Sequence, residues 1–411
     1  DGHVAGDTSD LALDLMAADA PVDQALMPDV LGHDDFGVID PNICGGTRTV
    51  KRKAVTPYTG TPCGKACKQV TFGNFVELHY EVVGDILVYV GQRSVTPKIT
   101  AGSSKVYYVD LKTGKEWRLH GDLSNNPATG AHGCKVATTD GKVLAYTCVR
   151  DGLQYTPVTK WLQSVTTWDP ATQVEKDLHC AKQWAADQAC GVSEVAMGST
   201  GIALRLSLTN CIKSDAQLYR FSDGSFKNVS KQYGSLGYIH MSGSRMVWAR
   251  SYSVELYDTL KGTTSKVDST KSWQCHSRIE GDKVVWTDLR NSTYSCYHPK
   301  KADIYLRDLS TGKTIAVTTH SAQQMHPDVD GDWVAWEDYR NNSDPNPGHF
   351  KAKTIDIYAK NLSTGKEYKL TSGPGRKLQP RVAGQRVFYR MLDAKKRASV
   401  FMVDLKALLA P

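Results

Sequence analysis

Apolar and polar residues alternate along most of the chain in short runs of four to eight, rich in Val, Ile, Trp and Tyr and broken by Gly-Asp, Asp-Gly or Thr-Gly turns. That period of two predicts β-strands rather than helices. The runs also repeat. Gly281-Asp282-Lys283-Val284-Val285-Trp286-Thr287-Asp288-Leu289-Arg290-Asn291 returns fifty residues later as Gly331-Asp332-Trp333-Val334-Ala335-Trp336-Glu337-Asp338-Tyr339-Arg340-Asn341. Asp303-Ile304-Tyr305-Leu306-Arg307-Asp308-Leu309-Ser310-Thr311-Gly312-Lys313 is echoed by Asp356-Ile357-Tyr358-Ala359-Lys360-Asn361-Leu362-Ser363-Thr364-Gly365-Lys366. A period near fifty residues is that of arrays and propellers.

Following the unit along the chain places it at 78–125, 132–180, 190–230, 237–272, 274–321, 324–373 and 377–407. The expected fold is an all-β, seven-bladed β-propeller over residues 46–411, preceded by an acidic N-terminal extension, 1–45. The seventh unit ends at Val400-Phe401-Met402-Val403-Asp404-Leu405 one strand short. The strand-like segment 47–56, which resembles the run after each Thr-Gly-Lys turn, is expected to fill that place and so remove an exposed sheet edge. Residues 57–76, with Pro57 and Pro62 and glycines around Cys63 and Cys67, read as a loop.

The paired Gly-Asp-x-Val-x-Trp and Asp-Ile-Tyr-x-x-x-Leu-Ser-Thr-Gly-Lys motifs resemble those of TolB-like β-propellers, bacterial proteins of the envelope and exterior. The resemblance covers residues 78–407, is strongest at 274–373 and faint at 190–272. It implies the fold and export. It implies no activity, because such propellers serve as scaffolds, receptors and enzymes.

Aligning the units on the turn glycine exposes a column of candidate ligands. Five residues before Gly84, Gly281 and Gly331 stand His79, His276 and His326; Gln379 holds that place before Gly384 and Tyr238 before Gly243. First strands line a propeller's channel, so these positions are expected to converge near one mouth. Three imidazoles and an amide oxygen would suit Mn, Zn, Fe or Cu, with no carboxylate in the column; a row of polar channel residues bonded to water is the bland reading. The set is similar in residue type, though not in surrounding sequence, to the three-His, one-Gln manganese site of oligogalacturonate lyases. The long loops 291–301 and 341–353 are expected on the same face. They make Tyr294, His298 and His349 the candidate catalytic acid and bases. Asp288, Arg290, Asp338 and Arg340 recur in register, which assigns them to structure, as blade-to-blade ion pairs. Trp286, Trp333 and Trp336 read as blade packing.

Ten cysteines scattered through the repeat favour disulfides over a zinc ribbon. Cys134 and Cys148 flank the Asp140-Gly141 turn as cross-strand partners would, and Cys275 and Cys296 are placed to pin the 291–301 loop. A secreted, periplasmic or cell-surface protein follows. The chain carries +7 overall, but residues 1–40 hold ten Asp and no Lys or Arg, so the remainder carries +17. That balance suits an anionic polysaccharide or envelope polymer, with no nucleic acid and no transmembrane segment expected, and a monomer. No nucleophile elbow, phosphate loop, His-Glu-x-x-His or dinucleotide fingerprint is present. The functional expectation is a metal-assisted lyase of an acidic polysaccharide. A non-catalytic envelope scaffold and a metal-dependent oxidase or oxygenase are the alternatives.

Overall fold

The structure, a computed structural model of the chain, describes residues 47–49, 61–64, 66–71, 75–93, 104–119, 134–150, 162–182, 192–208, 213–230, 236–292, 296, 301–318, 320–342, 352–392 and 398–410. The acidic extension 1–45, with Tyr294, His298 and His349, lies outside them. The chain is an all-β propeller of repeated sheets, most of them four-stranded and antiparallel. Unit five shows the plan: Gln274–Glu280, Lys283–Asp288, Asp303–Asp308 and Lys313–Thr318 pair in sequence.

Two turns build each unit. After the first strand, Gly281 and Gly331 take φ of +53° and +56°, a conformation nearly free of steric penalty only for glycine. After the third strand, Asp308 accepts hydrogen bonds from the Ser310 and Thr311 amides at 2.9 and 3.2 Å. This side-chain bridge explains the Asp-x-Ser-Thr-Gly-Lys motif.

The core lies between units, not within them. One cluster packs Val285, Ile304 and Leu306 of unit five against Val334, Trp336 and Tyr358 of unit six. Another returns from unit seven to unit one, where Phe388 and Val400 meet Tyr80, Leu87 and Tyr107. At the turn face, basic side chains repeat the link: Arg245 donates to the Gly281 carbonyl at 3.2 Å, Lys283 to that of Gly331 at 2.7 Å, and Arg386 to that of Gly84 at 2.7 Å. The contact between the last and first units is therefore of the same kind as those inside the repeat.

An N-terminal strand completes unit seven, as expected, but it is a different strand. Cys67–Gln69 pairs with Ala398–Asp404, aligning Cys67 with Val403 and Gln69 with Phe401. Thr47–Thr49 instead adds a fifth strand to the outer edge of unit two, opposite Val174–Lys182. The similarity of 47–56 to an outer strand encoded edge character, not which edge. Val70, next to the closing strand, is buried against Phe388 and Val400, which anchors the closure. The expected loop 57–76 thus contains the hairpin Thr61–Gly64 and Cys67–Gln69.

Cys134 bridges Cys148 and Cys275 bridges Cys296, with Cα atoms 3.9 and 6.1 Å apart. No described cysteine is free. Among the described residues no helix is long and apolar enough to cross a membrane.

Candidate functional site at the channel

In several units the first strand is interrupted by a bulge. In units five, six and seven the register slips between Cys275 and Arg278, Met325 and Asp328, and Leu378 and Arg381. Within each slip one non-glycine residue takes left-handed backbone: His276 at φ +50°, His326 at +49° and Gln379 at +52°. L-residues avoid that region, at a penalty on the order of 1 kcal/mol, and three equivalent instances mark a place where side-chain direction is held against backbone preference.

The twist brings two imidazoles together. The His276 and His326 rings have centroids 3.8 Å apart, and the Tyr238 ring stands 5.4 Å from the first and 6.5 Å from the second. Each histidine has a partner on the second strand of its own unit. His276 Nδ1 lies 3.3 Å from Thr287 Oγ1, and His326 Nδ1 lies 3.2 Å from the fully buried Glu337 carboxylate. Thr287 also accepts from the His326 amide at 3.2 Å, and Glu337 from the Gln379 amide at 2.7 Å. Tyr339 donates to the same carboxylate at 3.3 Å. Burial, then the neighbouring Glu337 charge, pushes the Tyr339 phenol well above its ordinary pKa, so it remains a donor.

His79 does not share this geometry. Unit one bulges one residue earlier, between Glu77 and His79, so His79 pairs directly with Val90. Its ring is buried and bonded to the Ala137 backbone of unit two. Burial, aided by Arg381 and Arg278 and opposed by Glu81, pushes its pKa down to about 4. Tyr80, the next residue, donates instead to the Gln379 carbonyl.

Three residues before the turn glycine, the same alignment reads Glu81, His240, Arg278, Asp328 and Arg381. These close the channel beneath the histidines. Arg278 contacts Glu81 at 2.6 Å and Asp328 at 2.9 Å, and Arg381 reaches Glu81 at 3.2 Å. Burial alone would raise the Glu81 carboxyl, but Arg278 and Arg381 override it and hold it well below the carboxylate range. Burial and Arg278 push His240 down to about 3. The expectation of a ring without carboxylates is corrected here: Glu337 touches His326, and Glu81 and Asp328 lie in the channel. The signal was present in the sequence, two positions from the column of histidines.

The recurrent Asp and Arg pairs are structural. Asp288 accepts from Trp286 Nε1 at 2.8 Å and meets Arg290 at 2.7 Å, and Asp338 does the same with Trp336 and Arg340. They join residues of one blade rather than two, although Arg290 also reaches Asp268 of unit four at 2.8 Å. Trp286 and Trp336 are fully buried, and Trp333 packs toward unit seven.

As candidate metal donors, His276 and His326 are brought together, and Gln379 carries the same backbone twist on the adjoining unit. His79, bonded to Ala137, does not join them. Among the described residues no three His, Cys, Asp or Glu side chains form a metal-binding group.

No protein-family model matches the chain, and no curated protein matches it by sequence. Among solved structures, it is similar to an oligogalacturonate lyase in complex with manganese, at 13% identity over 88% of this chain and 98% of that one, with a TM-score of 0.54. The β-propeller domain of the Trilobed protease from Pyrococcus furiosus matches at 10% identity, 81% and 95% coverage and a TM-score of 0.54. TolB from Acinetobacter baumannii matches at 12% identity, 78% and 64% coverage and a TM-score of 0.42. At these identities likeness carries architecture alone, and the architecture is that of a β-propeller.

Proposed function

We propose that the protein is an exported lyase acting on an acidic polysaccharide at the channel end where His276 and His326 meet. One observation carries the reading: neighbouring blades hold imidazoles with ring centroids 3.8 Å apart by the same left-handed twist, each beside a polar group. A scaffold gains nothing from that strain. The basic body favours a polyanionic chain, and the two described disulfides favour an oxidising compartment.

His276, His326 and the Gln379 amide would hold a divalent transition metal. Such an ion would neutralise a uronate carboxylate and so acidify the adjacent C–H. The rest of the elimination falls to side chains. A neutral imidazole of His298 or His349 takes the proton, the C–H electrons form the C=C bond, the glycosidic C–O bond breaks, and the Tyr294 phenol protonates the departing oxygen. The loop that carries Tyr294 and His298 is tied at Cys296 to Cys275, the residue adjoining His276.

Ultraviolet absorbance of unsaturated uronides on pectic, alginate and ulvan substrates, with and without chelator, tests this reading. Loss of signal in His326→Ala and on chelation supports it; silence on every substrate sinks it. Metal analysis of the same preparations separates the alternatives. Bound iron or copper points to oxidation, whereas a metal-free, inactive protein that retains polymer binding is a non-catalytic envelope propeller. The ion pairs that close the channel favour that second reading to the extent that they confine ligands to the face.

A further inference from the structure

Unit four departs from the corner that units five and six share. Seven residues after the turn glycine, where those units carry Asp288 and Asp338, unit four carries Arg250. Trp248 Nε1 accordingly donates to Glu255, at 2.9 Å, instead of to an acid at that place. Arg250 is left with little. Its side chain is 15% exposed, its Nε lies 4.0 Å from Glu255, and neither Nε nor Nη2 has a hydrogen-bond partner. A buried guanidinium with idle donors is costly unless something outside the chain satisfies it.

A cavity of about 600 Å³ opens beside it, lined by Arg250, Tyr252, Glu255, Thr264, Lys266 and Ser269 among others. Two cations face one carboxylate. Ser251, also in the lining, takes φ +44° in the two-residue turn between the paired Arg250 and Ser253. Tyr252 is 49% exposed and rests against Trp273 with ring centroids 5.4 Å apart, which fixes an aromatic face at the opening.

We infer that unit four holds a second ligand site, for a carboxylate-bearing saccharide, distinct from the channel residues. The fork of Arg250 matches a planar carboxylate, with Lys266 as a second charge. The hydroxyls of Thr264 and Ser269 suit sugar hydroxyls, and Tyr252 offers a face to the apolar side of a pyranose ring. The volume lies within the usual range for small-ligand sites. The inference does not need the channel site to be catalytic.

Calorimetric titration of the full chain with trigalacturonate, and with maltotriose as the neutral probe, tests it. The titration is repeated in His326→Ala to separate this site from the channel. Binding should persist in that variant, weaken about ten-fold or more in Arg250→Gln, weaken in the exposed-site variants Lys266→Ala and Tyr252→Ala, and fall with added salt. Equal affinity for maltotriose overturns the inference. So does absence of trigalacturonate binding, its complete loss in His326→Ala, or affinity unchanged in Lys266→Ala and Tyr252→Ala, whose exposed positions leave folding intact.

Discussion

The Arg278 guanidinium of unit five lies 2.6 Å from the Glu81 carboxylate of unit one, two positions along from the column of His79, His276, His326 and Gln379. Arg278 also holds Asp328 of unit six. One side chain thereby ties three units at the axis.

Removing it leaves buried Asp328 without its guanidinium and Glu81 with Arg381 alone. Arg278→Ala is expected to lower unfolding free energy by about 3–5 kcal/mol, whereas replacing Arg278, Glu81 and Asp328 together by apolar residues of similar volume should be far milder. Denaturant unfolding measures both, and a single variant as stable as wild type would refute the strut.

Stability should fall in mild acid. His79 and His240 have folded pKa values of about 4 and about 3, against an ordinary 6.5. Between those limits the unfolded chain binds more protons than the folded one, so the stabilisation present above pH 6.5 is lost as pH drops through the folded values. The slope is about 1.4 kcal/mol per pH unit for each histidine. His240→Gln should flatten the curve of stability against pH between 6 and 4; an unchanged slope counts against a buried neutral His240.

The left-handed histidines predict opposite effects on stability and function. Asparagine tolerates φ near +50° better than histidine, so His276→Asn should leave stability unchanged or raise it by up to about 1 kcal/mol. Polymer turnover or binding should fall at least ten-fold, a figure on the order expected for losing a site residue. Melting temperature and uronide assay together decide, and a destabilised variant with full function would remove the case for strain in the service of a site.

Glu337 acts on the site through His326. Glu337→Gln keeps the shape but removes the charge 3.2 Å from Nδ1. Function should drop about 10- to 100-fold at an unchanged melting temperature. Full function in Glu337→Gln would show that the contact is only packing.

Cys275 and Cys296 close a span of 21 residues. Replacing both with serine is expected to cost about 2–4 kcal/mol. If the bridge positions Tyr294 and His298, turnover should fall further than the lost stability explains at temperatures where the fold is intact.

Much of the architecture was legible in the chain. Alternation named the strands, Gly281, Gly331 and Asp308 named the turns, and self-similarity named the ring. Cys134 with Cys148 was readable because a hairpin turn sits between them. The closing strand was not, because Thr47–Thr49 and Cys67–Gln69 are both short edge segments, and burial of Val70 against the seventh unit selects between them.

The site divides in the same way. The sequence by itself determined which positions of the first strands correspond, because the turn glycine sets a common origin for every blade. Only the tertiary structure decided what those positions do. A bulge moved by one residue turns His79 into the seam with unit two, while His276 and His326 meet ring to ring. The placement of a bulge depends on contacts with the neighbouring blade, among them Thr287 to the His326 amide and Glu337 to the Gln379 amide, and those contacts come from residues some forty positions away in the chain.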